Sequence, residues 1–422
     1  MKTTNQSDNQ SYSSPDRIPS ISVQHVTFST RGGAGRVALT LNEALIDIGI
    51  QSSVWSLTQG QIQSLVLRRP FLVLRALIDF FLVRKSRKSH LFTLYRNNSI
   101  FRLHRRLFPN SVVLHLHWVT GVMNFTELVK QVNNPTTIIW TMHDMWPITG
   151  GCHHSLNCTQ FQKACQNCPQ VRPVFKNRVM REFAIKERQV ADLHSRLILV
   201  APSHWLAKQV ALSTIAKNVV VRVIPNPVDC KVFRPLGKDD SRKTVGIPLD
   251  NFVIGCAASD LADPMKNISE ILSNLETLSI NHSNISFLAI GANPPKSTAL
   301  WVNSTGLLGT DQAIAIALNS MDVLVSISEA ETYPLAIAES LSCGIPVITV
   351  NKGGAPELVV ESSGGIVIES ESELVHAIEQ LINDVDQRQA MAKSARTWAV
   401  NTIDTKVVAS QYAACYMEAV NW

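Results

Sequence analysis

The sequence lacks the features that mark membrane-spanning and secreted chains. It has no uncharged apolar run of about 18 residues, the length of a spanning helix. Residues 1–20 are polar and lack the apolar core of a signal peptide. Charged residues make up 17% and hydrophobic residues 45% of the 422, which excludes a disordered chain and leaves room for two or three domains. We expect a cytoplasmic globular protein with a disordered leader at 1–20.

Two common catalytic signatures are also missing. Gly32, Gly33 and Gly35 follow the first predicted strand and open a helix, where glycine lets a ligand approach the backbone and the helix N-terminus favours an anion. The third glycine of a dinucleotide fingerprint is absent, which argues against a nicotinamide cofactor. No serine or cysteine arrangement indicates a nucleophilic triad. By itself the glycine loop fits a ligand loop and a tight turn about equally.

A net excess of positive charge is confined to one segment. The net charge is +6, but residues 62–106 contain eleven Lys and Arg against Asp79, so this segment carries +10 and the rest of the chain −4. Within it, residues 70–83 are apolar almost all round, with Arg75 and Asp79 on a polar stripe. This pattern favours a helix lying on an anionic membrane surface over a packed helix with a solvated basic edge. The overall excess is too mild to indicate nucleic acid.

Short β-rich apolar runs alternate with helical patterns along the whole chain, which predicts parallel sheets with helices on both faces. The proline-rich run 223–235 suits a linker. We therefore predict an α/β protein of two doubly wound, Rossmann-like domains facing each other across a cleft. The predicted units are a leader at 1–20, a first Rossmann-like domain at 21–228, a second at 229–400, and a C-terminal helix at 401–422 that packs back on the first domain. Ligands of such sheets bind at the carboxyl ends of the strands.

Histidines follow two predicted strands of the first half. His115 and His117 lie on the run 112–118, and His143 ends the run 137–143. One strand-end histidine is as often structural as functional, but two adjacent strands ending in histidine favour a site. His143 has the stronger claim, because the neighbouring Asp144 is placed to orient its ring.

Four cysteines fall in one short insertion: Cys152, Cys158, Cys165 and Cys168. One CxxC with two outlying cysteines fits a structural zinc site that staples a loop, and free thiols fit equally well. A catalytic metal is disfavoured, since four thiolates leave no open coordination position.

Carboxylates and glycines follow predicted strands of the second half. Glu331 lies in the loop after the strand at 322–326, and Glu339 lies in the next helix, where a buried carboxylate needs a partner such as ligand hydroxyls. Solvated carboxylates are the competing reading. Gly353 and Gly354 precede a helix with proline in its first turn, a phosphate cradle. Lys266 starts another helix. A lysine that faces the same cleft would neutralise a leaving diphosphate, whereas a single lysine at a helix start is usually just solvated.

Together these motifs resemble the retaining glycosyltransferases of group 1, or family 4, which have the GT-B fold. The run SISEAETYPLAIAESLSCGIPVITVNKGGAPELV is similar to the donor signature of that family. The run from HLHW to CQNCPQ is similar to a subgroup of bacterial surface-polysaccharide pathways. The resemblance covers nearly everything after the leader.

The resemblance implies that the domain at 21–228 binds the acceptor and that the domain at 229–400 binds the nucleotide-sugar donor. It also implies a role for each matching residue. Glu339 is expected to bind the nucleotide ribose, Glu331 to lie beside the donor sugar, and Lys266 with Gly353 and Gly354 to face the diphosphate. His143 is expected to reach the reacting sugar, and Gly32, Gly33, Gly35 and His117 to form the acceptor side. The sequence departs from the family where Ser259-Asp260 replaces an arginine and Asn267 replaces a glycine.

The resemblance thus implies a hexosyltransferase that uses a nucleotide-diphosphate sugar, a lipid-linked glycan acceptor and no catalytic cofactor. It would act in polysaccharide or exopolysaccharide biosynthesis, in the cytoplasm and peripherally on the inner face of the membrane. A nucleotide-sugar epimerase of the same fold and a non-catalytic membrane-associated assembly partner are the alternatives.

Overall fold

The computed structural model describes residues 21–56, 92–93, 113–120, 136–297, 299 and 301–420. The predicted leader lies outside these residues, as does the basic segment 62–106 apart from Phe92 and Thr93. None of the helices in the described ranges is both long and apolar enough to cross a membrane.

The first domain is built on a parallel sheet with strand order β2-β1-β3-β4-β5-β6. Its elements are β1 Ser22–Thr27, α1 Gly33–Asp47, β2 Gln51–Ser56, β3 Val113–Leu116, β4 Thr137–Thr141, α2 Lys176–Leu193, β5 Leu197–Ala201, α3 His204–Leu212 and β6 Val220–Val223.

The second domain is built on another parallel sheet, with strand order β12-β11-β10-β7-β8-β9. Its elements are α4 Lys238–Val245, β7 Phe252–Asp260, α5 Ile268–Asn281, β8 Ile285–Ala292, β9 Val302–Gly306, α6 Asp311–Asn319, β10 Val323–Ser326, α7 Leu335–Ser342, β11 Val347–Val350, α8 Ala355–Ser362, β12 Gly365–Ile368, α9 Leu374–Asn383 and α10 Val385–Thr402.

Each sheet is covered by helices on both faces, so its central strands are largely buried, although they include buried polar residues such as His25 and His115. Two six-stranded parallel sheets with flanking helices confirm the predicted GT-B architecture of two doubly wound domains. Carboxyl ends of neighbouring strands lie along one edge of each sheet, and these edges bring the predicted motifs together.

Three strands were not predicted from the sequence, and the reason is their position. β2, β6 and β9 are edge strands, paired on one side only. Their residues are mostly half-buried or exposed, because they are covered less completely than the central strands. β2 and β9 therefore lack the continuous apolar run by which central strands are recognised, and Arg222 interrupts the run of β6.

The chain crosses between the domains twice, and the two crossings lie side by side. The Val228 amide donates to the carbonyl of Ile403 at 2.9 Å, and the Thr405 amide donates to the carbonyl of Val228 at 3.2 Å. After the second crossing, helix α11 (Thr405–Val420) packs against α1 and the first sheet. Backbone hydrogen bonds therefore tie the two crossings together.

Candidate functional site

The glycine loop after β1 forms one wall of the cleft. Gly32 has a φ of 82°, which favours glycine. A Cβ on Gly35 would lie 2.3 Å from the carbonyl oxygen of Ser29, so glycine is required there for the loop to fold back on itself. A Cβ on Gly33 would meet Leu335 of the second domain at 3.6 Å. The loop therefore faces α7, the helix that carries Glu339.

Arg36, one residue beyond this loop, spans the cleft to Glu339. Its Nη2 donates to Glu339 Oε1 at 2.6 Å and to Asp311 Oδ1 at 2.9 Å. Glu339 is buried, as the sequence argument required, and it has a cation as its partner. Burial raises the pKa of Glu339 to about 7, and the Arg36 charge opposes that rise. Sequence reasoning missed Arg36, although its place at the start of a glycine-loop helix was a usable signal.

Lys266 and Glu331 meet at the carboxyl edge of the second sheet. The Lys266 ammonium donates to Glu331 Oε1. Burial alone would lower the pKa of Lys266, but the charge and hydrogen bond of Glu331 outweigh it and raise the pKa. Lys266 is therefore a fixed cation at neutral pH.

The turn that carries Lys266 explains one departure from the family pattern. Asn267 has a φ of 53°, a region that glycine adopts freely and that asparagine tolerates better than most residues. Its Nδ2 donates to the carbonyl of Ile327 at 3.0 Å, which fastens the turn to the loop after β10. Asparagine in place of glycine thus preserves the turn.

Gly353 and Gly354 bring two loops together. A Cβ on Gly353, whose φ is 69°, would lie 2.3 Å from the Glu331 carbonyl oxygen, and one on Gly354 would lie 2.1 Å from that of Thr332. The Gly354 amide donates to the Glu331 carbonyl at 2.8 Å. This corrects the expectation that both amides face a diphosphate, since the Gly354 amide is already bonded. The pair instead positions the Glu331 loop.

Further contacts join the domains beside the site. Thr332 Oγ1 donates to the His143 carbonyl at 2.8 Å, and Ser203 Oγ donates to the Thr332 carbonyl at 2.8 Å. Glu357 accepts hydrogen bonds from the amides of His204 and Trp205, at the N-terminus of α3. A carboxylate is favoured at that end of a helix dipole. Apart from His143, these residues were not predicted, because their contacts cross the domain boundary.

His143 lies half-buried after β4, but its orienting partner is not the one predicted. Asp144 Oδ2 instead accepts from His153 Nδ1 at 2.6 Å and from Trp118 Nε1 at 2.8 Å. The His143 ring is held by His117, whose Nδ1 lies 3.0 Å from His143 Nε2. Burial lowers the pKa of His143 to about 4, so its imidazole is neutral at physiological pH.

His117 lies beneath the cleft surface. It is 1% exposed, so it does not contact an acceptor directly, which corrects its assignment to the acceptor side. Its Nε2 lies 2.9 Å from Nδ1 of His25 on β1, so it connects His143 to the domain interior. His115 is separate, because its ring nitrogens lie 2.7 Å from the Tyr416 hydroxyl and 2.8 Å from Thr141 Oγ1.

Among the described residues, His25, His115 and His117 offer ring nitrogens within 4.8 Å of one another, close enough to share a metal ion. Both nitrogens of His115 and both of His117 already have hydrogen-bond partners. A metal would therefore have to displace at least two hydrogen bonds. The arrangement is better explained as a hydrogen-bonded cluster than as a metal centre.

The four cysteines line one cavity of about 10 Å³, room for a single small occupant. Cys165 Sγ accepts from the Gly150 amide at 3.2 Å. Burial raises the pKa of the Cys165 thiol to about 12 and raises that of Cys168. Among the described residues, these four do not form a group of three ligand atoms within 4.8 Å. A metal would therefore require the side chains to move closer.

The site as a whole is a cleft, and its charged side chains and glycine turn on one side follow three adjacent strands of the second sheet. Lys266 follows β7, Glu331 follows β10 and Gly353 follows β11, and these strands are neighbours in the sheet. Arg36 and His143 lie on the opposing domain and are tied to this edge by side-chain and backbone hydrogen bonds. Fixed cations and a buried carboxylate suit a ligand with phosphates and hydroxyls.

Comparison with known proteins assigns most of the second domain to a family. Residues 237–398 match the model of the glycosyl transferases group 1 family. The chain is 29% identical over 359 residues to WcaC of Escherichia coli (strain K12), named as a colanic acid biosynthesis glycosyl transferase, with 81% of this chain and 85% of that protein covered.

Solved structures share the fold. Sucrose-phosphate synthase from Thermosynechococcus elongatus has a TM-score of 0.64 at 15% identity, over 94% of this chain and 98% of that one. HepE of Anabaena in complex with UDP-glucose has a TM-score of 0.61 at 15% identity, over 94% and 100%. Residues 237–398 are therefore a glycosyl transferases group 1 domain, in a chain that has the GT-B fold of these structures.

Proposed function

We propose that the protein transfers a hexose from a nucleotide-diphosphate sugar to a hydroxyl of a lipid-linked glycan, with retention at the anomeric carbon, in polysaccharide biosynthesis. The observation that carries this proposal is the convergence of Lys266, Glu331 and Glu339 on one cleft edge, opposite Arg36 and His143. The name of WcaC supports polysaccharide assembly, and the UDP-glucose complex of HepE supports a nucleotide-sugar donor.

In this proposal the protein acts by electrostatics and positioning. Lys266 stabilises the departing diphosphate as its charge develops. Glu339 accepts hydrogen bonds from the ribose hydroxyls, and Glu331 holds the donor sugar beside Lys266, so that orientation contributes to rate. Closing the domains about the paired crossings excludes water, which suppresses donor hydrolysis. The residues of the cleft account for these steps without a catalytic metal.

Donor binding requires the buried Glu339–Arg36 pair to rearrange. A ribose hydroxyl that donates to Glu339 must share the carboxylate with Arg36 or displace it. Arg36 can keep Asp311 as a partner, because it already contacts both carboxylates. Donor binding is then coupled to a rearrangement of one contact across the cleft, which is a route by which donor binding influences domain closure.

The four cysteines and the basic segment complete the proposal. We infer that Cys152, Cys158, Cys165 and Cys168 bind a structural zinc ion, supported by their common cavity and by the amide that bonds Cys165. Residues 62–106 would hold the enzyme on an anionic membrane surface at the cytoplasmic face, where a lipid-linked acceptor is presented. Their composition supports this, and most of the segment lies outside the described residues.

A transfer assay tests the proposal. Purified protein is incubated with UDP-, GDP- and ADP-hexoses and lipid-linked glycans, and NMR of the product identifies the anomeric configuration. We expect one donor class to be consumed with retention, and Lys266→Ala to reduce kcat by about 100-fold or more, as loss of one charge-stabilising group does. Lys243→Ala, an exposed lysine of α4, is the matched control and should leave the rate unchanged.

The alternatives predict different outcomes. An epimerase would convert the donor sugar without an acceptor and would keep its activity when residues 70–83 are deleted. A non-catalytic partner would bind the nucleotide sugar without turnover. An inverted anomeric centre in the product would contradict the retaining mechanism while leaving the transferase assignment intact.

A further inference from the structure

Three imidazoles form a hydrogen-bonded row from the core of the first domain to the cleft. His25 Nδ1 lies 2.9 Å from His117 Nε2, and His117 Nδ1 lies 3.0 Å from His143 Nε2. The His117 and His143 rings are stacked, with centroids 5.3 Å apart and planes 20° from parallel. Of these three, the proposed function places only His143 at the cleft, and it leaves His25 and His117 unexplained.

The two ends of this row differ. At the inner end, His25 Nε2 is buried and has no hydrogen-bond partner among the described residues. At the outer end, His143 is half-buried, and its Nδ1 has no partner within the described part of the chain. His143 Nδ1 is therefore the nitrogen available to a ligand, and the row of hydrogen bonds ends at His25.

All three rings are neutral near pH 7. Burial lowers the pKa of His25 to about 3 and that of His143 to about 4, and it places the pKa of His117 well below its usual range. A neutral imidazole has one N–H and one lone pair. Two hydrogen bonds in series therefore allow only two arrangements of the three protons.

In the first arrangement every Nδ1 carries the proton. His25 donates to His117, His117 donates to His143, and His143 presents an N–H to the cleft. In the second arrangement every Nε2 carries the proton and each donation is reversed. His25 then has an unpaired N–H in the core, and His143 presents a lone pair.

The buried, unpartnered Nε2 of His25 discriminates between these arrangements. A buried N–H without an acceptor is among the rarest features of folded proteins, whereas acceptors that lack a full set of donors are more common. The first arrangement leaves only a lone pair unpartnered and is therefore favoured. Within the described residues, the row also cannot relay protons through the domain, because His25 Nε2 at its inner end has no further partner there.

We infer that His117, backed by His25, is a positioning residue that holds His143 in the Nδ1–H tautomer, so that an N–H donor faces the oxygen atoms of the transferred sugar. The inference rests on the proposed function for the identity of the ligand. The tautomer itself follows from the hydrogen bonds and does not depend on that function. It corrects the expectation that Asp144 would perform this task.

NMR of the full-length protein labelled with ¹³C and ¹⁵N in histidine tests the inference directly. Imidazole ¹³Cδ2 and ¹⁵N shifts distinguish the two tautomers and the charged ring, and His143→Gln assigns the His143 signals. We expect the Nδ1–H form at His143, His117 and His25. An Nε2–H or doubly protonated His143 overturns the inference, as does a stoichiometric metal ion bound to these histidines.

A matched pair of variants separates positioning from packing. His117→Leu removes the donor to His143. His115→Leu instead removes a ring that stacks on the His117 ring, with centroids 4.3 Å apart, but that is not a member of the row. We expect His143 to lose its single tautomer in His117→Leu and to keep it in His115→Leu. Equal effects of both variants would overturn the positioning role. If His117→Leu does not fold, the wild-type spectrum still decides the tautomer.

Kinetics supply the functional readout. We expect His117→Leu to lower kcat roughly 10- to 100-fold, the range that follows from a misplaced catalytic contact, while the KM for the donor changes little. His117→Asn keeps an amide donor near the Nδ1 position and should recover much of kcat. An unchanged kcat in His117→Leu would overturn the inference. Absence of transfer in the wild type would instead remove the proposed function and leave the tautomer result standing.

Discussion

Replacement of Glu339 by glutamine should change the pH dependence of stability. The carboxylate is buried, and its pKa rises from 4.5 to about 7 on folding, with burial as the largest cause. The folded state thus holds a proton between these values that the unfolded state has released, so stability falls as the pH rises from 4.5 to 7. The shift of about 2.5 units corresponds to about 3 kcal/mol at 1.36 kcal/mol per unit.

Glutamine cannot ionise, yet it keeps an oxygen for Arg36. Glu339→Gln should therefore remove this loss and melt several degrees above the wild type at pH 8, with a smaller difference at pH 5. Thermal unfolding of both proteins at these two pH values measures the effect. Glu276→Gln, on the exposed face of α5, is the control and should follow the wild type.

Equal pH dependence of Glu339→Gln and wild type would refute the reasoning, because it would mean that the Glu339 carboxylate is not desolvated. The same variant should lose donor affinity, since a neutral amide is a poorer acceptor for ribose hydroxyls than a carboxylate. Higher stability with lower function is the pattern expected where a buried charge is retained for binding.

The remaining predictions concern three other parts of the chain. Gly353→Ala should destabilise the protein more than Gly246→Ala, as measured by urea unfolding. Both glycines have positive φ, but only a Cβ at Gly353 would lie 2.3 Å from a carbonyl oxygen. Equal losses of stability would contradict the close packing of the Glu331 loop. Freshly purified protein should contain one zinc ion, and Cys165→Ser should release it and lower the melting temperature; metal-free protein by elemental analysis would exclude the site. Deletion of residues 70–83 should reduce sedimentation with anionic vesicles but not with neutral ones, and unchanged sedimentation would contradict the membrane role.

The sequence predicted the central strands better than the edges. β3, β4 and β5 are short runs of buried residues between paired neighbours, so their apolar patterns were visible. The edge strands β2 and β9 include serine, glutamine and asparagine on partly exposed backbone, and nothing in those patterns distinguishes a strand from a loop. The helices that cover the sheets were visible from their apolar periodicity.

The candidate site was predicted in part for a related reason. Lys266, Glu331 and Gly353 each follow a strand, and the parallel sheet brings such positions together whatever the details of packing. Arg36 and Ser203 act on the opposite domain, and only the docking of the two domains shows that they belong to the site. Asp144 was assigned to His143 because they are adjacent in sequence, but successive side chains point to different sides, and its carboxylate bonds His153.

The most direct test of the central claim is the melting temperature of the full-length protein and of Glu339→Ala in the presence of UDP, GDP, ADP and their hexose conjugates. A ligand that binds only the folded state raises the melting temperature by mass action. The account predicts that one nucleotide class stabilises the wild type and that Glu339→Ala loses that response while remaining folded. No response of the wild type to any nucleotide, or an unchanged response in Glu339→Ala, would contradict it.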